Sequence, residues 1–199
     1  LLPTKFRLCP YEISSHAPGQ QGSIWEYSFF VPHDQSALIE KFGGAEQFVK
    51  RLEFLHDQRI TLISNEPSFL TVFQYHYAGR AGLSAKRAHY YIPTAFKPTP
   101  DGLPGNGDSR AMGSFLAFTM IGLFSNPGQD VYLIIPPFFK AVSIRSPITN
   151  KTATISAANS DPQYEDIYVQ SVLLNGSRTA ETGLISLFSG REGSSADDR

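Results

Sequence analysis

Between residues 34 and 124 the apolar positions recur at helical spacing. Asp34 stands where it can cap a helix over residues 35–42, Gly43-Gly44 stops that helix, and Phe48, Leu52 and Leu55 fall on one face of the next. Two short helices joined by glycines predict an αα-hairpin. A third helix is predicted from Pro67, whose missing amide suits a first turn, towards Tyr77, with Gly79 ending it. A fourth covers residues 85–92 and stops at Pro93. Residues 98–110 then break all regularity with three prolines and three glycines, the mark of an ordered surface loop. Residues 111–124 are apolar nearly all round: Leu116, Met120 and Leu123 on one side, Phe115, Phe118 and Ile121 on others. Such a helix wants protein on every face, and it is too short to span a bilayer.

After Asn126-Pro127-Gly128 the period becomes extended, with runs over 131–135, 140–144, 152–156 and 167–174. Asn175-Gly176 predicts a two-residue hairpin turn, with 184–188 as the returning strand. The expected class is therefore α+β: helices over 1–126, a β-rich part over 127–190, and a polar tail over 191–199. So few helices, one of them so apolar, imply packing partners outside this sequence. The alternative is a compact α+β domain with a wide cleft.

Composition narrows the function. Seventeen Lys and Arg against 18 Asp and Glu leave a net charge of -1, which offers no basic field to nucleic acid or anionic lipid. Fifteen Phe and nine Tyr supply ring surface for a core or an aromatic cleft. A lone Cys9 excludes an internal disulfide framework and an all-cysteine metal site. The start, Leu1-Leu2-Pro3-Thr4-Lys5, has no signal-peptide pattern and reads as cut from something longer.

Three polar segments carry candidate chemistry. Gln21-Gly22-Ser23-Ile24-Trp25-Glu26-Tyr27, followed by Val31-Pro32-His33-Asp34, sets an aromatic ring beside groups that reach sugar hydroxyls; equally, the rings are core, His33 a structural imidazole and Asp34 a cap. Asn65-Glu66-Pro67-Ser68 places a carboxylate at a helix start, where it gains from free amides, and its oxygens also suit calcium if further ligands come from elsewhere. In Asp101-Gly102-Leu103-Pro104-Gly105-Asn106-Gly107-Asp108 the glycines let backbone approach a ligand, while Asp108 can orient or deprotonate water, or cap the helix that follows. Glycoside hydrolysis uses such groups best, one donating a proton and one activating water. A structural helical domain that binds another protein is the competing class. Asn150-Lys151-Thr152 and Asn175-Gly176-Ser177 are glycosylation triplets if the parent chain is secreted.

At these residues the chain resembles glycoside hydrolase family 92, the calcium-dependent exo-acting α-mannosidases. The resemblance rests on Trp25-Glu26-Tyr27, Phe30-Val31-Pro32-His33-Asp34, Asn65-Glu66-Pro67-Ser68, Tyr75-His76-Tyr77-Ala78-Gly79-Arg80, Gly102-Leu103-Pro104-Gly105-Asn106 and Ile167-Tyr168-Val169-Gln170-Ser171, leading to Leu174-Asn175-Gly176. It implies an N-terminal β-sandwich and a catalytic (α/α)6 barrel, of which this chain supplies only the later helices and the terminal β-rich part. The chain alone is then expected to expose barrel interior and to aggregate or stay molten.

The resemblance also implies an inverting reaction on mannosylated glycans with calcium as cofactor. It puts Asp108 at the general-base position, Asn106 beside it, and Gln21 at the position of the usual acidic Glu. A neutral amide cannot donate a proton as a carboxylic acid does. That departure points either to mannose linked through phosphate, a leaving group needing little protonation, or to a homologue that binds sugar without hydrolysing it. Gly107, Arg110, Ala111 and Gly113 depart from the family pattern too, and Arg110 would weaken Asp108 as a base if they touched. Trp25, Glu26, His33 and Asp34 are the implied sugar contacts, with His33 and Asp34 the more structural of these; Glu26, Asn65 and Glu66 are the implied calcium ligands. A secreted, extracellular location goes with the family.

Overall fold

The computed structural model describes residues 23–105, 107–158, 167–179 and 184–185. Gln21, Asn106 and the polar tail lie outside the described residues, as do residues 186–188 of the expected returning strand. An α-helical core comes first, followed by small β-sheets, and the described helices do not close a barrel.

The first helix, α1 (Ile24–Phe29), starts with a capping box: the Ser23 side chain accepts from the Glu26 amide, and the Glu26 side chain accepts from the Ser23 amide. Helix α2 (Gln35–Lys41) has Asp34 as its cap, accepting from the Ala37 amide at 2.9 Å. Gly43 and Gly44, at φ +93° and +96°, turn the chain into α3 (Ala45–Asp57). Phe48, Leu52 and Leu55 of α3 are fully buried and pack with Phe29, Leu38 and Tyr75 into one core cluster.

A second cluster gathers the later helices and the first sheet. The predicted helix from Pro67 to Tyr77 is a 3-10 turn (Glu66–Ser68), then α4 (Phe69–Phe73), then a 3-10 turn (Gln74–His76). Every residue of α4 is buried, and Phe73 stacks on Phe124 at 4.1 Å while Phe69 stacks on Phe115 at 4.4 Å. Helix α5 (Ala81–Ala95) is longer than the 85–92 expected and contains Pro93. The proline sits in the last turn, so little helix lies beyond the backbone bond it removes.

Helix α6 ends earlier than its apolar run, at Ala111–Ile121. Gly122 takes φ +86° and a Cβ there would meet the Ile135 carbonyl oxygen at 2.7 Å, so only glycine fits. The rest of the run becomes β1 (Leu123–Ser125). Within this chain α6 buries Met112, Phe115 and Thr119, while Phe118 stays 39% exposed because nothing in the described chain covers that side.

Strand β1 pairs antiparallel with β2 (Tyr132–Ile134), Phe124 opposite Leu133. Next come the hairpin of β3 (Ala141–Arg145) and β4 (Thr152–Ser156), and a smaller one of β5 (Leu173–Leu174) and β6 (Ser177–Arg178). Asn175 and Gly176, at φ +51° and +82°, make the expected turn, but its returning strand is β6. A two-residue turn pairs its immediate flanks, so residue 184 cannot be in register with it. Strand β7 (Leu184–Ile185) instead pairs with β2. Of the extended run 167–174, only its last two residues form a strand.

Candidate functional site

Two of the three polar segments meet at Glu26. Its side chain is 2% exposed, and each oxygen is engaged. Oε2 accepts from the Ser23 amide at 2.8 Å. Oε1 accepts from the Leu62 amide at 3.0 Å, from the Thr61 hydroxyl at 3.4 Å and from the Ser68 hydroxyl. The start of α1 is thereby tied to the turn that carries Asn65 and Glu66. Trp25 beside it is half-buried, tilted against Phe54 at 5.5 Å, with the Arg51 guanidinium 4.5 Å over its ring.

The glycine loop joins from the other side. A Cβ on Gly105 would lie 2.3 Å from the Ser64 carbonyl oxygen, and one on Gly102 would lie 1.9 Å from that of Lys97. Glycine thus lets the loop lie directly on the residue before Asn65. Asn65 and Glu66 are half-buried; Glu66 Oε1 is buried with no hydrogen-bond partner among the described residues, and the Asn65 side chain makes no cap bond to its 3-10 turn.

Asp108 follows three residues after Gly105, exposed, with no side-chain hydrogen bond or ion pair among the described residues. Gly107, Ser109 and Arg110 around it take φ of +65°, +51° and +63°, and the turn Asp108–Arg110 leads straight into α6. Two non-glycine residues in the left-handed region are a local strain beside a candidate base. Arg110→Gly should relieve part of it, raising the stability of the intact protein by about 1 kcal/mol. A denaturant midpoint that fails to rise would remove the strain. Arg110 and Asp108 form no ion pair with each other.

The structure does not bring His33 and Asp34 into this group by any hydrogen bond. Asp34 caps α2, and the exposed His33 backs onto Gly128. A cavity of about 610 Å³ does open nearby, between the end of α3, the loop through Ser64, and α5. Among the described residues, none of those expected to act on sugar or metal lines it.

Several organising residues escaped the sequence. His56, on that cavity's wall, has Nδ1 2.9 Å from the Tyr91 hydroxyl and Nε2 3.2 Å from the Thr71 carbonyl oxygen. Burial pushes Tyr91 up to about 12, so it keeps its proton and donates to Nδ1, leaving Nε2–H to donate to Thr71. Burial, reinforced by the charge on Arg87, pushes His56 down to about 4 from an ordinary 6.5. The native imidazole is neutral while the unfolded one takes up a proton, so stability falls as pH drops from about 6.5 to about 4 and levels off below. The loss should be roughly 3 kcal/mol. Urea midpoints at both ends of that range would check it, with His56→Gln expected to flatten the slope.

Other buried polar links fasten helices to strands. His76 Nε2 donates to the Ile134 carbonyl at 2.9 Å, and Asn126 Nδ2 donates to the Tyr77 hydroxyl and the Pro32 carbonyl at 2.7 and 3.0 Å. The Tyr-His-Tyr stretch, noticed in the sequence only as a motif, is thus a seam between the helical core and the first sheet.

Residues 5–195 match the glycosyl hydrolase family 92 catalytic domain. A secreted glycosidase of Arthroderma benhamiae, itself uncharacterized, is 60% identical over 156 residues, covering 78% of this chain and 20% of that protein. A family GH92 alpha-mannosidase of Bacteroides thetaiotaomicron, in complex with mannoimidazole, superposes with a TM-score of 0.72 at 26% identity over 83% of this chain and 23% of its own. A second structure of that enzyme gives 0.74 at 25% identity, covering 89% and 24%. Another GH92 glycosyl hydrolase, at 19% identity, shares the fold with a TM-score of 0.74, over 83% of this chain and 26% of its own. The chain spans about a quarter or less of the length of these relatives. Matched along nearly its whole length, the chain belongs to the glycosyl hydrolase family 92 catalytic domain.

Proposed function

We propose that this chain is the later part of a secreted, calcium-dependent glycosidase that removes mannose from mannosylated glycans, with Asp108 as general base. The observation that carries the reading is the meeting of three segments at one place: Glu26 on Ser68 and the Leu62 amide, and Gly105 on Ser64. In this reading the partners of the chain are the preceding barrel helices and the N-terminal β-sandwich of the same protein. They complete the sugar pocket and cover the exposed side of α6.

The donor set fits calcium in part. Glu66 Oε1 is a buried acceptor without a partner, and Asn65 adds a neutral oxygen, both groups that a hard cation takes. The Glu26 carboxylate already accepts four hydrogen bonds, so in this proposal it braces the turn rather than holding the ion. When bound, calcium would hold mannose hydroxyls and favour ring distortion.

Asp108 accepts a proton from water as the water oxygen bonds to the anomeric carbon and the glycosidic C–O bond breaks with inversion. Gln21 at the acid position cannot protonate the departing oxygen. A phosphate monoester, with a second pKa near 6, leaves without that proton. The substrate we propose is therefore mannose joined through phosphate to a second mannose.

Mannose release by the full-length protein tests this. We expect turnover of mannose-α-phosphate-mannose, little of α-1,2-mannobiose, and loss of activity on chelation restored by calcium. Equal, rapid hydrolysis of both substrates overturns the role given to Gln21. Mannose binding without turnover of either overturns the enzyme in favour of a binding homologue, and no binding at all would leave only the protein-interaction reading. Indifference to chelation removes the metal.

A further inference from the structure

We infer that Asn150 carries an N-linked glycan, a modification that rests on the secretion proposed above. The triplet Asn150-Lys151-Thr152 is an acceptor sequence, and the structure places all of it on the surface. Asn150 closes the turn between β3 and β4 at φ +57°, a left-handed conformation that asparagine tolerates better than most residues. Residues 147–152 are exposed throughout. Thr152 opens β4 directly opposite Arg145 of β3.

The orientation of the amide is the informative feature. Arg145 Nε donates to Asn150 Oδ1 at 2.8 Å, and Arg145 Nη2 donates to the same oxygen. That fork turns the oxygen back to the strand and leaves Nδ2, the atom that bears a glycan, without a hydrogen bond among the described residues. A sugar on Nδ2 therefore breaks no contact of the folded hairpin. Among the described residues, the other triplet, Asn175-Gly176-Ser177, has no such clamp. A glycan at Asn150 also gives cover to Ile148, which stands 94% exposed in the same turn, with Ile144 46% exposed on the adjoining strand.

The chemistry needs a lipid-pyrophosphate-linked oligosaccharide as donor, on the lumenal side of a secretory membrane. The Asn150 amide nitrogen bonds to C1 of the first sugar, and the bond from C1 to the pyrophosphate oxygen breaks. The lipid pyrophosphate leaves with the bonding electron pair, and a base on the transferase takes the amide proton.

The test is peptide mass spectrometry on the full-length protein expressed with its own N-terminus in a eukaryotic host. Protein from the medium is expected to yield an Asn150 peptide bearing hexose and N-acetylhexosamine, converted by peptide N-glycosidase in heavy-oxygen water to a labelled aspartate. Thr152→Ala should lose the glycan and Thr152→Ser keep it, although both leave the Arg145 clamp in place. Secreted protein with an unmodified Asn150 overturns this inference while leaving secretion intact. Protein confined to the cytosol, with Asn150 unmodified, overturns both.

Discussion

Asp108→Asn in the full-length protein should lower the rate of mannose release by about 10²–10⁴-fold, the usual contribution of a positioned general base. The amide keeps the size of the carboxylate and loses the ability to take a proton from water. Position is what the surroundings of Asp108 supply. The residue stands at the entry to α6, whose Met112 and Phe115 are anchored in the second core cluster, and the left-handed residues on either side leave its turn few alternatives. Because the side chain makes no hydrogen bond or ion pair among the described residues, the substitution should change stability by no more than about 0.5 kcal/mol. The two readouts belong together: a collapse of kcat with an unchanged unfolding midpoint supports the base, whereas near-normal turnover sends that role elsewhere.

What could be read from the sequence was what neighbouring residues decide among themselves. Asp34, Gly43-Gly44 and the Phe48, Leu52, Leu55 stripe fix the α2–α3 hairpin through a cap, a turn and one face of a helix, and Asn175-Gly176 fixes its own turn. Where distant backbone decides, periodicity failed. Gly122 is a local stop signal inside the apolar run from Ala111, but what makes glycine obligatory there is distant, the Ile135 carbonyl pressed against it. The reach of α5 past Pro93 depends on the position of the proline within the last turn, which composition does not reveal. The candidate site divides the same way. Its three segments can be named from residue types, and the Ser23-x-x-Glu26 spacing is a readable capping signal. The contacts of Glu26 with Thr61, Leu62 and Ser68 cross about forty positions of chain and arise only from packing.

Those contacts make Glu26→Ala the second large effect. Removing the carboxylate strands the Leu62 and Ser23 amides and the Ser68 and Thr61 hydroxyls in a buried place, which should cost about 3–5 kcal/mol. Glu26→Gln is expected to cost less, about 1–3 kcal/mol, since the remaining oxygen still serves Leu62 and Ser68 while the new amide meets the Ser23 N–H donor to donor. Urea unfolding of the full-length protein, with and without a chelator, separates a brace from a calcium ligand. A brace predicts the same loss in both conditions, and strong non-additivity when Glu26→Ala is combined with Ser68→Ala, because one bond cannot be lost twice. A loss that disappears once calcium is stripped from the wild type would return Glu26 to the metal. The α1 start and the Asn65–Ser68 turn would then be held together by the ion rather than by hydrogen bonds.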